Sequence, residues 1–217
     1  MSIGKLSKIL NDKNVSRETY RNYIGASSIG SQCLRQIWYE YNGYEGLPIT
    51  PKLRRTSEIG NLLETMILDE LKNAGLNIIR EHKELIDSKL PYFKGHIDAF
   101  WKSENGETIG IIEVKTAKDA QFKQFVKHGL YKWSPKYYGQ IQAYMGMSGI
   151  HDSYLICLNK DTSETHDKNI KFNHVYYEGL QIKAEVIHDA KEPAIRVNSS
   201  PAFYICKMCK FRGVCHK

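Results

Sequence analysis

The 217-residue chain lacks any apolar run approaching the roughly 20 residues that a membrane-spanning helix needs. Its opening stretch, MSIGKLSKIL, lacks the continuous apolar core of a secretory signal. Internal repeats and low-complexity tracts are missing too, so neither a repeat array nor a disordered linker accounts for the chain. These absences point to a cytoplasmic protein with no membrane partner. Acidic residues are in deficit, 24 against 31 basic ones, giving a formal net charge of +7 and a pI near 9.0. That balance favours polyanionic partners such as nucleic acid. Cysteine is scarce, five in all, and a reducing cytoplasm disfavours structural disulfides among them.

What remains is ordinary for a globular domain, and the length is enough to bury a full core. Residues 3 to 13 read as a short first helix, followed by a polar stretch to Tyr23. A second helix starts at Ser27 or Ser28, either of which can cap it, runs to about Tyr41 and carries Cys33. NGYEGLPITP reads as a loop. From Arg54 to Ala74 the spacing of Ile59, Leu62, Leu63, Met66, Ile67 and Leu71 is helical, with Gly75 as the stop. Strands are expected over 77–87, 92–102 and 108–116, then a helix over 119–128. A further helix opens with Ser134 as cap and Pro135 at its first position. Strands over 152–159 and 170–177 and a helix over 178–191 follow. The order implies an α/β fold, a sheet covered by helices. It reads as one domain spanning 1–217, with its core over about 54–192, an N-terminal helical segment over 1–53 and a cysteine-rich tail over 193–217.

GHIDAFWKSE and ETIGIIEVKT flank Asn105-Gly106, a strong signal for a two-residue type I′ hairpin, whose central residues both need positive φ. In that register Asp98 pairs with Glu113 and His96 with Lys115. Side chains alternate faces with period two, so these four share one face, while Ile97, Ala99, Ile112 and Val114 take the other. Two carboxylates facing each other across a strand pair repel. Lys115 can sit between them, as in an exposed ion pair, and so can a divalent cation, since hard oxygen ligands suit Mg²⁺ or Mn²⁺.

Other signals carry a bland reading beside a functional one. Gln140 and Tyr144 stand i, i+4 on one helix face. Placed beside the hairpin they would contact a phosphate or hold Lys115, and otherwise they are an ordinary polar and aromatic pair. Glu64 sits within the apolar run Leu62, Leu63, Met66, Ile67, where it either faces solvent or needs a partner such as a metal. In YKWSPKYYGQ the aromatics Tyr131, Trp133, Tyr137 and Tyr138 alternate with Lys132 and Lys136. That pattern suits stacked bases with lysines on phosphates, or a helix entry that packs its rings on the core. Cys206-x₂-Cys209-x₅-Cys215, with Cys33 far upstream, supplies four thiolates for an iron-sulfur cluster or a zinc ion, and His216 offers zinc a fourth ligand without Cys33. Cys157 reads as a small core hydrophobe. Lys207, Lys210, Arg212 and Lys217 surround the cysteines with positive charge, which suits DNA or simply solvent.

Taken in order, Glu64, Gly95-x-x-Asp98, Glu113-x-Lys115 and Gln140-x-x-x-Tyr144 resemble the RecB-like branch of the PD-(D/E)xK nuclease superfamily. The cysteine pattern is similar to the iron-sulfur nucleases of that branch, the AddB nuclease domain and the CRISPR-associated RecB-like exonucleases. One position departs from them. Those members place a histidine on the helix before the hairpin, whereas Glu64 and PKYYGQIQAYM resemble phage recombination exonucleases of the lambda type. The resemblance implies a restriction-endonuclease-like core, a central mixed sheet flanked by helices. It also implies a Mg²⁺ or Mn²⁺ site formed by Asp98, Glu113, the Val114 carbonyl and Glu64, with Lys115, Gln140 and Tyr144 as further catalytic residues. A 4Fe-4S cluster on Cys33, Cys206, Cys209 and Cys215, or a zinc ion in its place, would join the tail to the N-terminal segment. The implied activity is a DNA exonuclease acting on single strands or duplex ends, with Tyr131, Lys132, Trp133, Lys136 and Tyr137 on the DNA. Its setting would be recombination, repair or CRISPR adaptation, as a homo-oligomer or with a partner protein. A structure-specific endonuclease or nickase of the same fold, and a DNA-binding subunit with a zinc staple, are the alternatives.

Overall fold

The computed structural model of the chain describes residues 5–12, 20–80 and 84–217. In chain order the elements are α1 (Lys5–Asp12), β1 (Ile24–Gly25), α2 (Ala26–Ile29), α3 (Leu34–Tyr41), α4 (Pro51–Asn73), β2 (Asn77–Ile79) and β3 (Glu84–Ile86). They continue with β4 (Phe93–His96), β5 (Ala99–Lys102), β6 (Thr108–Ala117), α5 (Asp119–Trp133), α6 (Pro135–Ser148), β7 (Asp152–Asn159) and β8 (Thr165–Lys171). Last come α7 (His174–Asp189), α8 (Tyr204–Lys207) and α9 (Arg212–Cys215). Positions 3, 4 and 13 of the expected first helix, 14–19 of the polar stretch that runs to Tyr23, and 81–83 of the strand expected over 77–87 lie outside the described residues. No helix among the described residues is long and apolar enough to cross a membrane.

Five strands form one mixed sheet in the order β2-β5-β6-β7-β8, and β1-β4-β3 form a second. β6 and β7 run parallel, which requires a crossover, and α5 with α6 provides it. Strand β6 separates two apolar layers. Ile112 and Val114 pack with Ile67 and Leu68 of α4, whereas Ile111 and Ala117 join Phe122, Phe125, Ile141 and Met145 of α5 and α6. Period-two alternation therefore sends Glu113 and Lys115 toward the α5–α6 layer. Helix α6 is capped by Ser134, whose Oγ accepts from the Tyr137 N–H at 3.3 Å, with Pro135 at its first turn. It is buried continuously from Gly139 to Met145, so every residue there meets another element.

The structure corrects several local expectations, each through a tertiary contact. The helix expected from Ser27 or Ser28 to Tyr41 is two helices, begun by Gly25 and broken over Gly30–Cys33, and Cys33 is the extended cap of the second. Gly30 lies against the first turn of α6, where a Cβ would come within 2.6 Å of the Lys136 carbonyl. A continuous helix would collide with α6. The strands expected over 77–87 and 92–102 are each split between the two sheets. Helix α4 begins at Pro51 rather than Arg54 because Thr50 caps it, accepting from the Leu53 N–H at 3.2 Å. Ile59, Leu62 and Met66 of its expected stripe are exposed, and its inner face is Leu63, Ile67, Leu68 and Leu71. Helix α5 continues to Trp133 through a kink at Gly129 (φ 74°). The last strand lies over 165–171 instead of 170–177, and Asn173 caps α7 by accepting from the Tyr176 N–H at 3.0 Å.

The β5–β6 turn also differs. Gly106 has positive φ, but Asn105 does not, Ser163 being the one described non-glycine residue that does. The loop closes between Ser103 and Glu107, with the Ser103 N–H donating to the Glu107 carbonyl at 2.8 Å, which shifts the register by one residue. A bulge next to Trp101 and Lys102 shifts it back, so Ala99 pairs with Ile112 and Phe100 with Ile111, as a two-residue turn would have set them. Two irregularities cancel.

Candidate active site

Pairing between β5 and β6 ends at Ala99 and Ile112, one residue short of Asp98 and Glu113. Asp98 lies at the bend where the chain passes from one sheet to the other. Its Oδ2 accepts from the Val114 N–H at 3.4 Å, standing in for the missing backbone partner. Glu113 is fully buried, and its Oε1 accepts from Lys115 Nζ in a short ion pair. The other oxygen, Oε2, is buried with no hydrogen-bond partner. An unpartnered buried carboxylate oxygen is costly, and a proton or a cation offsets that cost. Burial drives the Glu113 carboxyl up to about 8, with Lys115 pulling it down and Asp98 pushing it further up. For Lys115, burial opposes the charge, but Glu113 and Asp98 outweigh it and hold the ammonium above the usual lysine range.

Helix α6 closes the site from above. Gln140 Nε2 donates to Tyr144 Oη at 2.7 Å, and both side chains are buried. Burial and then the Glu113 charge raise the Tyr144 phenol, which keeps it protonated. Gly95 makes room for that ring, since a Cβ there would stand 2.6 Å from Tyr144 Cε1 and 2.7 Å from the Ala26 Cβ. This is the physical reason for glycine three residues before Asp98.

Other expected site residues are placed differently. His96 does not face Lys115: it is exposed and pairs with Glu84 in the smaller sheet, while Lys115 pairs with Cys157. Glu64 is half-buried on α4, the helix against the Val114 side of β6. Among the described residues no group of three or more His, Cys, Asp or Glu is arranged to hold a metal ion, so Glu64 does not join Asp98 and Glu113 in a ready-made set. Tyr131, Lys132 and Lys136 are exposed, but Trp133 and Tyr137 turn inward. Trp133 packs at a tilt against Phe125 and Tyr137, with ring centroids 5.0 Å and 5.5 Å apart. Lys210 of the tail pairs with Glu40 at 3.0 Å and packs on Phe211, a contact that joins the tail to α3.

Spacing along the chain did not reveal one cleft. Arg21, Tyr23, Ser27, Lys94 and His96 line a cavity of about 150 Å³ that Tyr144 closes on one side. β1 and β4, which are parallel neighbours, bring its two halves together. The one local signal was Lys94 and His96 flanking Gly95.

Cys33, Cys206, Cys209, Cys215 and His216 line one small cavity between the start of α3 and the two tail helices. As thiols they are not set around an ion. Burial and the neighbouring cysteines push Cys206 and Cys209 toward their protonated forms. His216 Nε2 is buried without a partner. Around the cavity Lys183 Nζ donates to the Ser31 carbonyl at 2.6 Å and Arg196 Nε to the Cys215 carbonyl at 2.7 Å, so both ends are held independently of the sulfurs. Cys157 is buried in β7, away from them.

In sequence, residues 18–151 match the YqaJ-like viral recombinase domain. No curated protein matches the chain. In fold the protein is similar to an alkaline exonuclease (LHK-Exo) from Laribacter hongkongensis, with a TM-score of 0.59 and 13% identity over 78% of this chain and 87% of the other. It is similar as well to SSO0001 (TM-score 0.59, 20% identity, 91% and 87% covered). A phage-related exonuclease from Haemophilus somnus 129PT aligns at a TM-score of 0.51 with 14% identity, over 71% and 77%. At these identities the likeness is one of fold, a restriction-endonuclease-like α/β core with a mixed sheet flanked by helices.

Proposed function

The chain belongs to the YqaJ-like viral recombinase domain family, and from that premise we propose that it is a metal-dependent DNA exonuclease. The observation that carries this reading is Glu113, fully buried with one oxygen unpartnered beside Asp98. Asp98, Glu113 and the Val114 carbonyl would hold Mg²⁺ or Mn²⁺, with Glu64 contributing through water. These are hard oxygen donors, which such ions prefer. When bound, the ion supplies Lewis acidity toward a phosphate oxygen and a more acidic water. Lys115 keeps a positive charge where negative charge develops during cleavage. Gln140 and Tyr144 position the strand as paired donors, and Arg21 and Lys94 in the cleft next to Tyr144 offer cationic contacts to neighbouring phosphates. Tyr131, Lys132 and Lys136 lie exposed on the α5–α6 elbow for the same backbone. The solved alkaline exonuclease LHK-Exo is also known in complex with dAMP, which agrees with a nucleotide product.

End-labelled single- and double-stranded DNA, with each label position tested separately in Mg²⁺ and Mn²⁺, is expected to release labelled mononucleotides from one end. Cleavage of a covalently closed circle would overturn the exonuclease mode in favour of an endonuclease. No cleavage of any substrate in either metal would leave a DNA-binding subunit.

For the tail, a 4Fe-4S cluster on Cys33, Cys206, Cys209 and Cys215 fits four thiols around one cavity, and zinc is favoured by the orphaned Nε2 of His216. Anaerobically purified protein is expected to be brown and to contain iron, and Cys33→Ser to lose both. Colourless protein with stoichiometric zinc, lost in His216→Ala and kept in Cys33→Ser, would replace the cluster by a zinc staple.

A further inference from the structure

Lys115 meets partners of two kinds. One is carboxylate, Glu113 in a direct ion pair with Asp98 acting on the same ammonium, and the other is the ring of Tyr137, whose centroid is 5.3 Å from Nζ. The ring is well braced. Its backbone N–H donates to the Ser134 cap, and its ring packs at a tilt against Trp133 with centroids 5.5 Å apart, while Trp133 packs in turn on the fully buried Phe125. Tyr137, Gln140 and Tyr144 fall at i, i+3 and i+7, a single stripe along α6. Of these, Gln140 and Tyr144 bond each other, while Tyr137 meets the lysine.

We propose that Tyr137 is a positioning residue for Lys115, acting through its ring face, and not a platform for a nucleic-acid base. The proposal rests on the nuclease reading above and assigns one more residue to that site. A lysine side chain has four rotatable bonds and a single point charge, so its aim depends on what surrounds the ammonium. The carboxylates of Glu113 and Asp98 are poor sole anchors, because both are donors that a divalent ion would engage. An aromatic face attracts an ammonium through its quadrupole yet offers a hard cation no ligand oxygen. The ring can therefore hold Lys115 in place while Glu113 serves the ion.

The test compares Tyr137→Phe, which keeps the ring, with Tyr137→Leu and Tyr137→Met, which remove it, all in the full chain. The lysine Cε protons of Lys115 should show an upfield ring-current shift in NMR of the metal-free, DNA-free wild type. That shift is expected to persist in Tyr137→Phe and to vanish in the other two. In the exonuclease assay Tyr137→Leu is expected to lower kcat roughly tenfold with KM for DNA changed less than about twofold, and Tyr137→Phe to keep both. The proposal is overturned if the Lys115 resonance stays put without the ring, or if losing the ring raises KM at unchanged kcat, the signature of a DNA contact. A wild-type protein with no nuclease activity would sink the exonuclease reading alone, since the NMR comparison decides the Tyr137 contact independently.

Discussion

Asp98→Ala and Lys115→Ala are each expected to lower DNA cleavage on the order of 10²–10³-fold while leaving DNA binding within a few-fold of wild type. The two variants remove different things. Asp98 gives up a carboxylate next to Glu113 and the acceptor for the Val114 N–H, whereas Lys115 gives up the ammonium paired with Glu113. Neither carries the main apolar packing, because Asp98 lies at a bend and Lys115 is part exposed. Cleavage of end-labelled DNA and a filter-binding isotherm on the same preparations separate chemistry from affinity. Wild-type cleavage rates for either variant in Mg²⁺ or Mn²⁺ would remove that residue from the mechanism.

Glu113→Gln is expected to abolish cleavage and, in the metal-free protein, to raise thermal stability at alkaline pH. The Glu113 carboxyl is raised in the folded chain to about 8 from an ordinary 4.5. The folded state therefore binds the proton more tightly than the unfolded state. Stability contributed by this group is fully present below about pH 4.5 and is lost as pH rises through about 8. The neutral amide of glutamine should escape that loss. Melting in EDTA is expected to show little difference between the two proteins near pH 5 and a gain for the variant of roughly 5–10 °C near pH 9, which corresponds to a few kcal/mol in a chain of this size. An equal gain at both values would show that charge burial is not the cause. Saturating Mg²⁺ or Mn²⁺ should narrow the gap by stabilising the wild type alone, through preferential binding to its folded state.

Much of the candidate site's geometry is legible in the sequence because its signals are local. Strand alternation put Glu113 and Lys115 on one face of β6, and the Ser134-Pro135 start fixed the phase of α6, which brings Gln140 and Tyr144 together. The expected bounds of β7 match those observed, since Gly149 with positive φ ends α6 and the apolar run from Tyr154 to Leu158 lies between polar residues that bound the strand. The Asp98–Glu113 juxtaposition follows in the sequence from a two-residue turn that does not form. It is present because the longer loop and the bulge near Trp101 offset each other.

Other features depended on partners far away in the chain. His96 would face Lys115 only if 92–102 were one strand, but β4 pairs with β1 and β3 while β5 pairs with β2 and β6. Cys33 leaves its helix because Gly30 abuts α6 more than 100 residues later. Trp133 and Tyr137 face Phe125 and Lys115 rather than solvent, and alternation of aromatics with lysines is the same in either case. Periodicity, capping and charge are carried by neighbours within a turn or a strand, so the sequence alone determined the α/β class and which residues share a face of β6 or α6. Which sheet a strand joins, where a helix must break, and which way a ring turns depend on the long-range packing of those faces, and only the tertiary structure decided them.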